Sequence, residues 1–115
     1  MRTRFLFSKW NGAARIPRMK TITVVATFQA KPGQEAELQK ALISLVAPTR
    51  KEAGCLNYDL HVSPEDPGKF LFHENWTTRA ALDAHLQAPH IQVVLPRMDE
   101  LAVGMPEIKI WEQIA

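Results

Sequence analysis

This sequence predicts an α+β, ferredoxin-like fold, a βαββαβ chain that builds one antiparallel sheet with its helices on one face. Three observations carry that expectation. The hydrophobic period alternates between two residues and about 3.6 residues in the order strand, helix, strand, strand, helices, strand. A dense turn signal, Pro64-Glu65-Asp66-Pro67-Gly68, ties the two middle strands into a hairpin. At 115 residues and 46% hydrophobic content, the chain can bury one ordinary core and not two.

Thr21 to Ala30 is rich in β-branched residues and lacks charge, which reads as a strand buried on both faces. Lys31-Pro32-Gly33 breaks it. From Gln34 the residues Leu38, Leu42, Leu45 and Val46 recur at helical spacing, with Glu35, Glu37 and Lys40 off the stripe. That helix is expected to run to about Ala53, bent in its last turn by Pro48, with Gly54 as its stop. Cys55 to Val62 alternates, with Leu56, Tyr58, Leu60 and Val62 expected on one face. Lys69 to Trp76 forms the hairpin's second arm. Thr77 or Thr78 caps a helix to about Gln87, and Pro89 opens another whose stripe is Ile91, Val94, Leu95, Met98 and Leu101, kinked or divided at Pro96. Glu107 to Ile114 is the fourth strand, with Ile108, Ile110, Glu112 and Ile114 on one face.

Charge divides the chain in two. Arg2, Arg4, Lys9, Arg15 and Arg18 stand in the first 18 residues without an acid, whereas from Met19 onward 9 basic residues face all 12 acidic ones, a net −3. A nucleic-acid-binding module would carry its basic patch on the folded body, so none is expected here. Residues 1–18 read as a dispensable basic extension, with 19–115 as the folded domain. The leader's Arg-rich composition also resembles a transit peptide, and Met19 stands where a start would suit the first strand. No apolar run approaches the ~20 residues of a membrane helix. The single cysteine, Cys55, excludes an internal disulfide and fits a cytoplasmic setting.

Helices on one face leave the other bare. Val24 beside Val25, and Leu71 between Phe70 and Phe72, place apolar side chains on both faces of the first and third strands. Each such side chain left in water costs roughly 1.5 to 3 kcal/mol, so a homodimer packed sheet against sheet is expected. The alternative is that these residues lie under the leader and loops.

Ala30-Lys-Pro-Gly33, Glu52-Ala-Gly-Cys55-Leu-Asn-Tyr58, Phe72-His-Glu74-Asn-Trp76, Ala84-His85 and Pro89-His90 occur in this order. Together they resemble the antibiotic-biosynthesis monooxygenase superfamily over about residues 21–114, and most of all its small stand-alone, quinol-monooxygenase-like branch. The resemblance implies a dimeric α+β barrel with a pocket between sheet and helices. It implies oxidation of a small electron-rich aromatic, a quinol, anthrone or phenol, by dioxygen with no metal, flavin or other cofactor. A haem-degrading branch uses an asparagine on the first strand together with tryptophan and histidine. Trp76 and His85 partly match it, but residues 21–30 contain no asparagine.

Several residues carry the candidate chemistry. Strand alternation aligns Phe70, Phe72, Glu74 and Trp76, so a carboxylate stands in a row of aromatics. Glu74 is a site candidate or a strand-end acid paired elsewhere. Trp76 and Phe72 form a flat wall for substrate or serve packing alone. Tyr58 offers a ring and a hydroxyl. His85 borders the apolar stripe of its helix, where an imidazole with an unperturbed pKa of ~6.5 suits a phenolic proton. His90 stands at the expected pocket mouth or in solvent, and His61 and His73 fall on the opposite strand faces. HExxH, GxGxxG, P-loop and GxSxG motifs are absent from the sequence, and the histidine spacings supply no one-face helical pair, so no metal site is expected. A second class of function stays open beside the enzyme: a non-catalytic binding module for a small metabolite, or an isomerase on the same scaffold.

Overall fold

The computed structural model describes residues 21–115. The basic leader and its expected dispensability lie outside the described residues. The strands are β1 (Ile22–Gln29), β2 (Cys55–Ser63), β3 (Asp66–Trp76) and β4 (Glu107–Glu112), paired antiparallel in the order β2-β3-β1-β4. This is the strand order expected of the split βαβ pattern. Helices α1 (Glu35–Ile43), α2 (Val46–Arg50), α3 (Arg79–Leu86), α4 (Pro89–Val94) and α5 (Met98–Leu101) supply the covering layer.

The core lies between the helices and one face of the sheet. Val24, Ala26 and Phe28 of β1, Phe70, Phe72 and Trp76 of β3 and Tyr58 of β2 are buried against Leu38, Leu42, Leu45, Leu82, Ile91, Val94, Met98 and Leu101. Alternation assigns the other face to Thr23, Val25, Thr27, Leu71, His73 and Asn75, all of them half-buried in the single chain. Both faces of β1 and β3 are therefore shielded, the second only in part.

The single long first helix expected to reach Ala53 is two helices. The chain turns at Ser44 and Leu45, the residues just before α2. Pro48 accounts for the position, because a proline ring clashes with the carbonyl four residues earlier, here that of Ser44. In β2 the pairing register shifts between Cys55 and Asn57, so Leu56 is the extra residue of a bulge. Leu56 is accordingly 56% exposed, and Val62, next to a second shift, is 49% exposed. Neither joins Tyr58 in the core. The hairpin loop is shorter than its turn signal, since Ser63 already pairs with Asp66 across Pro64-Glu65. The last strand stops at Glu112, which pairs with Ile22 at the end of β1, and Ile114 lies beyond it in solvent.

The helical half follows its punctuation. Thr78 caps α3, its hydroxyl accepting from the Ala81 N–H at 3.0 Å. Pro89 opens α4 after an extended Ala88, and a 3-10 turn at Leu95–Arg97 holds Pro96 between α4 and α5. Gly54 takes a left-handed conformation (φ 85°) and accepts the Thr77 N–H through its carbonyl at 2.8 Å. A Cβ on Gly54 would lie 2.6 Å from the Cβ of Ala81, so this turn presses on α3.

Candidate functional site

The antiparallel register sets Glu74 between Val24 of β1 and Tyr58 of β2, on the helix-covered face. Only 4% of Glu74 is exposed. Its Oε1 accepts the indole N–H of Trp76 at 2.9 Å, a pairing that follows from two residues of one strand sharing a face. Burial pushes the Glu74 pKa up to about 7, the Trp76 hydrogen bond opposes that rise, and the Glu52 charge adds to it. Near neutral pH this carboxyl therefore exists in both forms.

His85 lies one helical face away from solvent, buried on α3 beside Leu82. Its ring packs on Trp76 at 4.7 Å between centroids and meets Tyr58 edge-on at 5.3 Å. Nδ1 lies 2.9 Å from Oε2 of Glu52, which sits at the end of the turn after α2. A carboxylate oxygen accepts and does not donate, so Nδ1 carries the proton and Nε2 is the bare nitrogen. Burial lowers the His85 pKa, and the Glu52 hydrogen bond and charge work against that shift. A neutral imidazole held in one tautomer by a carboxylate is the arrangement of a general base.

His90 brings its Nε2 to the same Glu52 oxygen, at 2.7 Å. The ligand-type atoms of Glu52, His85 and His90 all lie within 4.8 Å of one another. The two histidines stand five positions apart, a spacing that puts them on different faces of one continuous helix. The chain joins them by ending α3 at Leu86 and starting α4 at Pro89. A cluster with metal-ligand spacing thus exists where none was expected, and Glu52 is the candidate site residue that sequence reasoning missed. Its signal was its place beside Gly54, the residue that fixes the turn against α3.

Tyr58 stacks on Phe72 with centroids 4.5 Å apart, and Phe28 meets Phe72 edge-on. Burial and the Glu74 charge raise the Tyr58 pKa, so its phenol stays protonated. The Thr49 hydroxyl, which has no regular hydrogen bond, lies near enough to oppose that rise. Between these side chains is a cavity of about 40 Å³, lined among others by Tyr58, Phe72, Glu74, His85, Ile91 and Leu95. Its volume is that of a water molecule or two. Of the sequence-selected residues, Tyr58, Phe72, Glu74 and His85 reach this cavity, Trp76 backs His85, and His90 stands outside with Glu52. His61 and His73 lie on the other face. Burial raises the Cys55 pKa, with Glu52 and Glu74 adding to the effect, which works against thiolate formation there.

A buried imidazole, a buried carboxyl and an aromatic cavity lie between a four-stranded sheet and its helices, the setting of a candidate small-molecule site on an α+β scaffold. Comparison with known proteins identifies the lineage. The family model for antibiotic biosynthesis monooxygenase matches residues 21–96, and the chain belongs to that family. The crystal structure of PA3566 from Pseudomonas aeruginosa is 34% identical with a TM-score of 0.81, over 86% of this chain and 99% of that one. Rv0793 of Mycobacterium tuberculosis, provisionally named a monooxygenase, is 38% identical over 69 residues, 60% of this chain and 67% of its own. Its structure superposes with a TM-score of 0.78. The protein sll1783 of Synechocystis is 32% identical over 79% of this chain, which spans 62% of that relative's length.

Proposed function

We propose that this protein is a cofactor-independent monooxygenase that oxidises a small electron-rich aromatic, a quinol, phenol or anthrone, with dioxygen. The observation that carries the reading is the Glu52–His85 pair, which presents a neutral, oriented imidazole to an aromatic cavity. His85 Nε2 takes the substrate's acidic proton, and Glu52 steadies the imidazolium that forms. The resulting anion is electron-rich enough to reduce dioxygen itself. A phenol plus dioxygen gives a quinone plus water, so one oxygen atom stays in the product and every electron comes from the substrate. Protonated Glu74 and Tyr58 donate hydrogen bonds to the oxygenated carbon's new oxygen, while Phe72 forms the wall for the ring and Trp76 backs the His85 imidazole. His90 stands at the mouth.

An aromatic ring is larger than the cavity as it stands, so binding requires its wall to open. Ile91 and Leu95 are the wall residues best placed to move, because Pro96 already interrupts the hydrogen bonding of their segment. A homodimer formed through the open sheet face belongs to the same proposal, with residues 1–18 dispensable to it.

Oxygen uptake across a panel of quinols and anthrones, with chelator present and a protein-free control for autoxidation, tests the activity. His85→Ala is expected to lower the rate 10²- to 10⁴-fold while changing affinity little. Wild-type uptake in His85→Ala, Glu74→Gln and Trp76→Ala alike would remove the site from the chemistry. If no substrate is oxidised but one still binds, the protein is a binding module or an isomerase.

A further inference from the structure

The Glu52, His85 and His90 cluster does more than orient a base. We propose that it is a binding site for one divalent ion of the zinc type, held by Glu52 Oε2, His85 Nδ1 and His90 Nε2, and that the ion reverses the tautomer of His85.

The donor set points to such an ion. Two imidazole nitrogens and one carboxylate oxygen suit zinc, cobalt or nickel, whereas magnesium and calcium favour oxygen shells. Distances fit as well. In a tetrahedral shell with bonds of ~2.0 to 2.1 Å, neighbouring ligand atoms stand roughly 3.3 Å apart. Here Oε2 is 2.9 Å from one nitrogen and 2.7 Å from the other, and all three atoms lie within 4.8 Å. Shifts of under about an ångström therefore face them toward one centre. In their present state two N–H groups converge on a single oxygen, so partial positive charge already occupies the place an ion would take.

The setting fits equally well. His85 is 4% exposed at its side chain, but Glu52 and His90 are 17% and 21% exposed, which gives the cluster a buried ligand and an open side. Three protein ligands leave a fourth position for water or a substrate oxygen, the usual form of an open zinc site. The three residues come from the turn after α2, from α3 and from the start of α4. Each segment is fixed locally, by Gly54 against Ala81, by the Thr78 cap and by Pro89.

Coordination through Nδ1 has a chemical consequence. The neutral imidazole must then carry its proton on Nε2, so the nitrogen that is bare in the Glu52-bonded form becomes a donor. One proton moves from Nδ1 to Nε2 through solvent and none is lost from the ring. On the function proposed above, the ion-loaded protein is the inactive form.

The test uses the full chain, stripped with chelator and titrated with Zn²⁺ alone by calorimetry, and with Co²⁺ alone by visible absorption. One ion per chain and the intense visible bands of four-coordinate cobalt are expected, with affinity falling on the order of 100-fold or more in Glu52→Gln and His90→Ala. Nitrogen-15 NMR of the wild-type imidazoles should show His85 changing from the Nδ1–H to the Nε2–H form as Zn²⁺ is added, a readout that needs no variant to fold. Absence of binding at about 100 µM Zn²⁺ overturns the proposal. So does binding that survives His90→Ala but is lost in a His61→Ala/His73→Ala double variant, or a His85 tautomer that Zn²⁺ leaves unchanged. None of these readouts uses substrate, so a failed oxygen-uptake assay and a failed metal site are distinguishable.

Discussion

The two faces of the sheet are built from the same strands and do opposite things with polar groups. On the covered face Glu74 is nearly alone among aromatics, bonded to the Trp76 indole, and its carboxyl is held well above its ordinary range. On the open face the polar groups form a connected row. Thr23 donates to Asn75, Asn75 to Asn57, and Asn57 to the His73 carbonyl and to Asp59, which ends in an ion pair with Arg50 at 2.9 Å. Hydrogen bonds from Asn57 and Arg50 lower the Asp59 pKa. A satisfied polar group costs little and does little, while a half-satisfied buried one stores reactivity. The proposed chemistry therefore draws on the covered face, and the open face, where Val25 and Leu71 break the polar row, suits the proposed contact.

The largest expected effect falls on the covered face. Trp76→Ala should cost about 3 to 5 kcal/mol in chemical denaturation, because it empties a fully buried site and strips Glu74 of its donor. A cost under about 1 kcal/mol would show that this face is not the stabilising one.

Glu74→Gln should follow, with a sign that depends on pH. A carboxyl whose folded pKa is raised stabilises the fold fully below its unfolded value and loses that contribution as pH rises through about 7. The Gln variant should therefore gain on wild type between pH 5 and pH 8, by up to about 3 kcal/mol. Parallel melting curves for the two proteins across that range would contradict the assigned burial.

Leu71→Lys distinguishes a contact face from a wet one. If a second copy covers Leu71, light scattering should show the mass falling to the 13.0 kDa of one chain. If the face is solvated, stability should change by no more than about 0.5 kcal/mol and the mass not at all. The smallest effect is expected at the end of the polar row, where Arg50 and Asp59 side chains are 54% and 43% exposed. Arg50→Ala should cost at most about 1 kcal/mol, and less at high salt.

Much of this arrangement was legible in the sequence wherever a local period decides it. The alignment of Phe70, Phe72, Glu74 and Trp76 needs only strand alternation, and the Thr78 and Pro89 helix starts need only capping chemistry. Leu56 misled because a bulge shifts the count by one residue, and no local pattern marks where a bulge falls. The first helix was drawn too long because Pro48 acts on the turn before it. Beyond the place of Glu52 beside Gly54, its pairing was illegible because its partners lie 33 and 38 residues away, and only the packed fold brings them together.

The left-handed turn at Gly54 carries a consequence for how this protein can vary. Its missing methyl sets the clearance between the turn bearing Glu52 and the helix bearing His85. With Ala81 Cβ and Thr77 Oγ1 at 2.6 and 2.8 Å from where a methyl would stand, any larger residue must wedge the two apart. The Glu52–His85 hydrogen bond and the spacing of Glu52 to His90 would lengthen together, although none of the three residues had changed. Gly54 acts as a gauge block: the alignment of Glu52 with His85 is set by an atom that is not there.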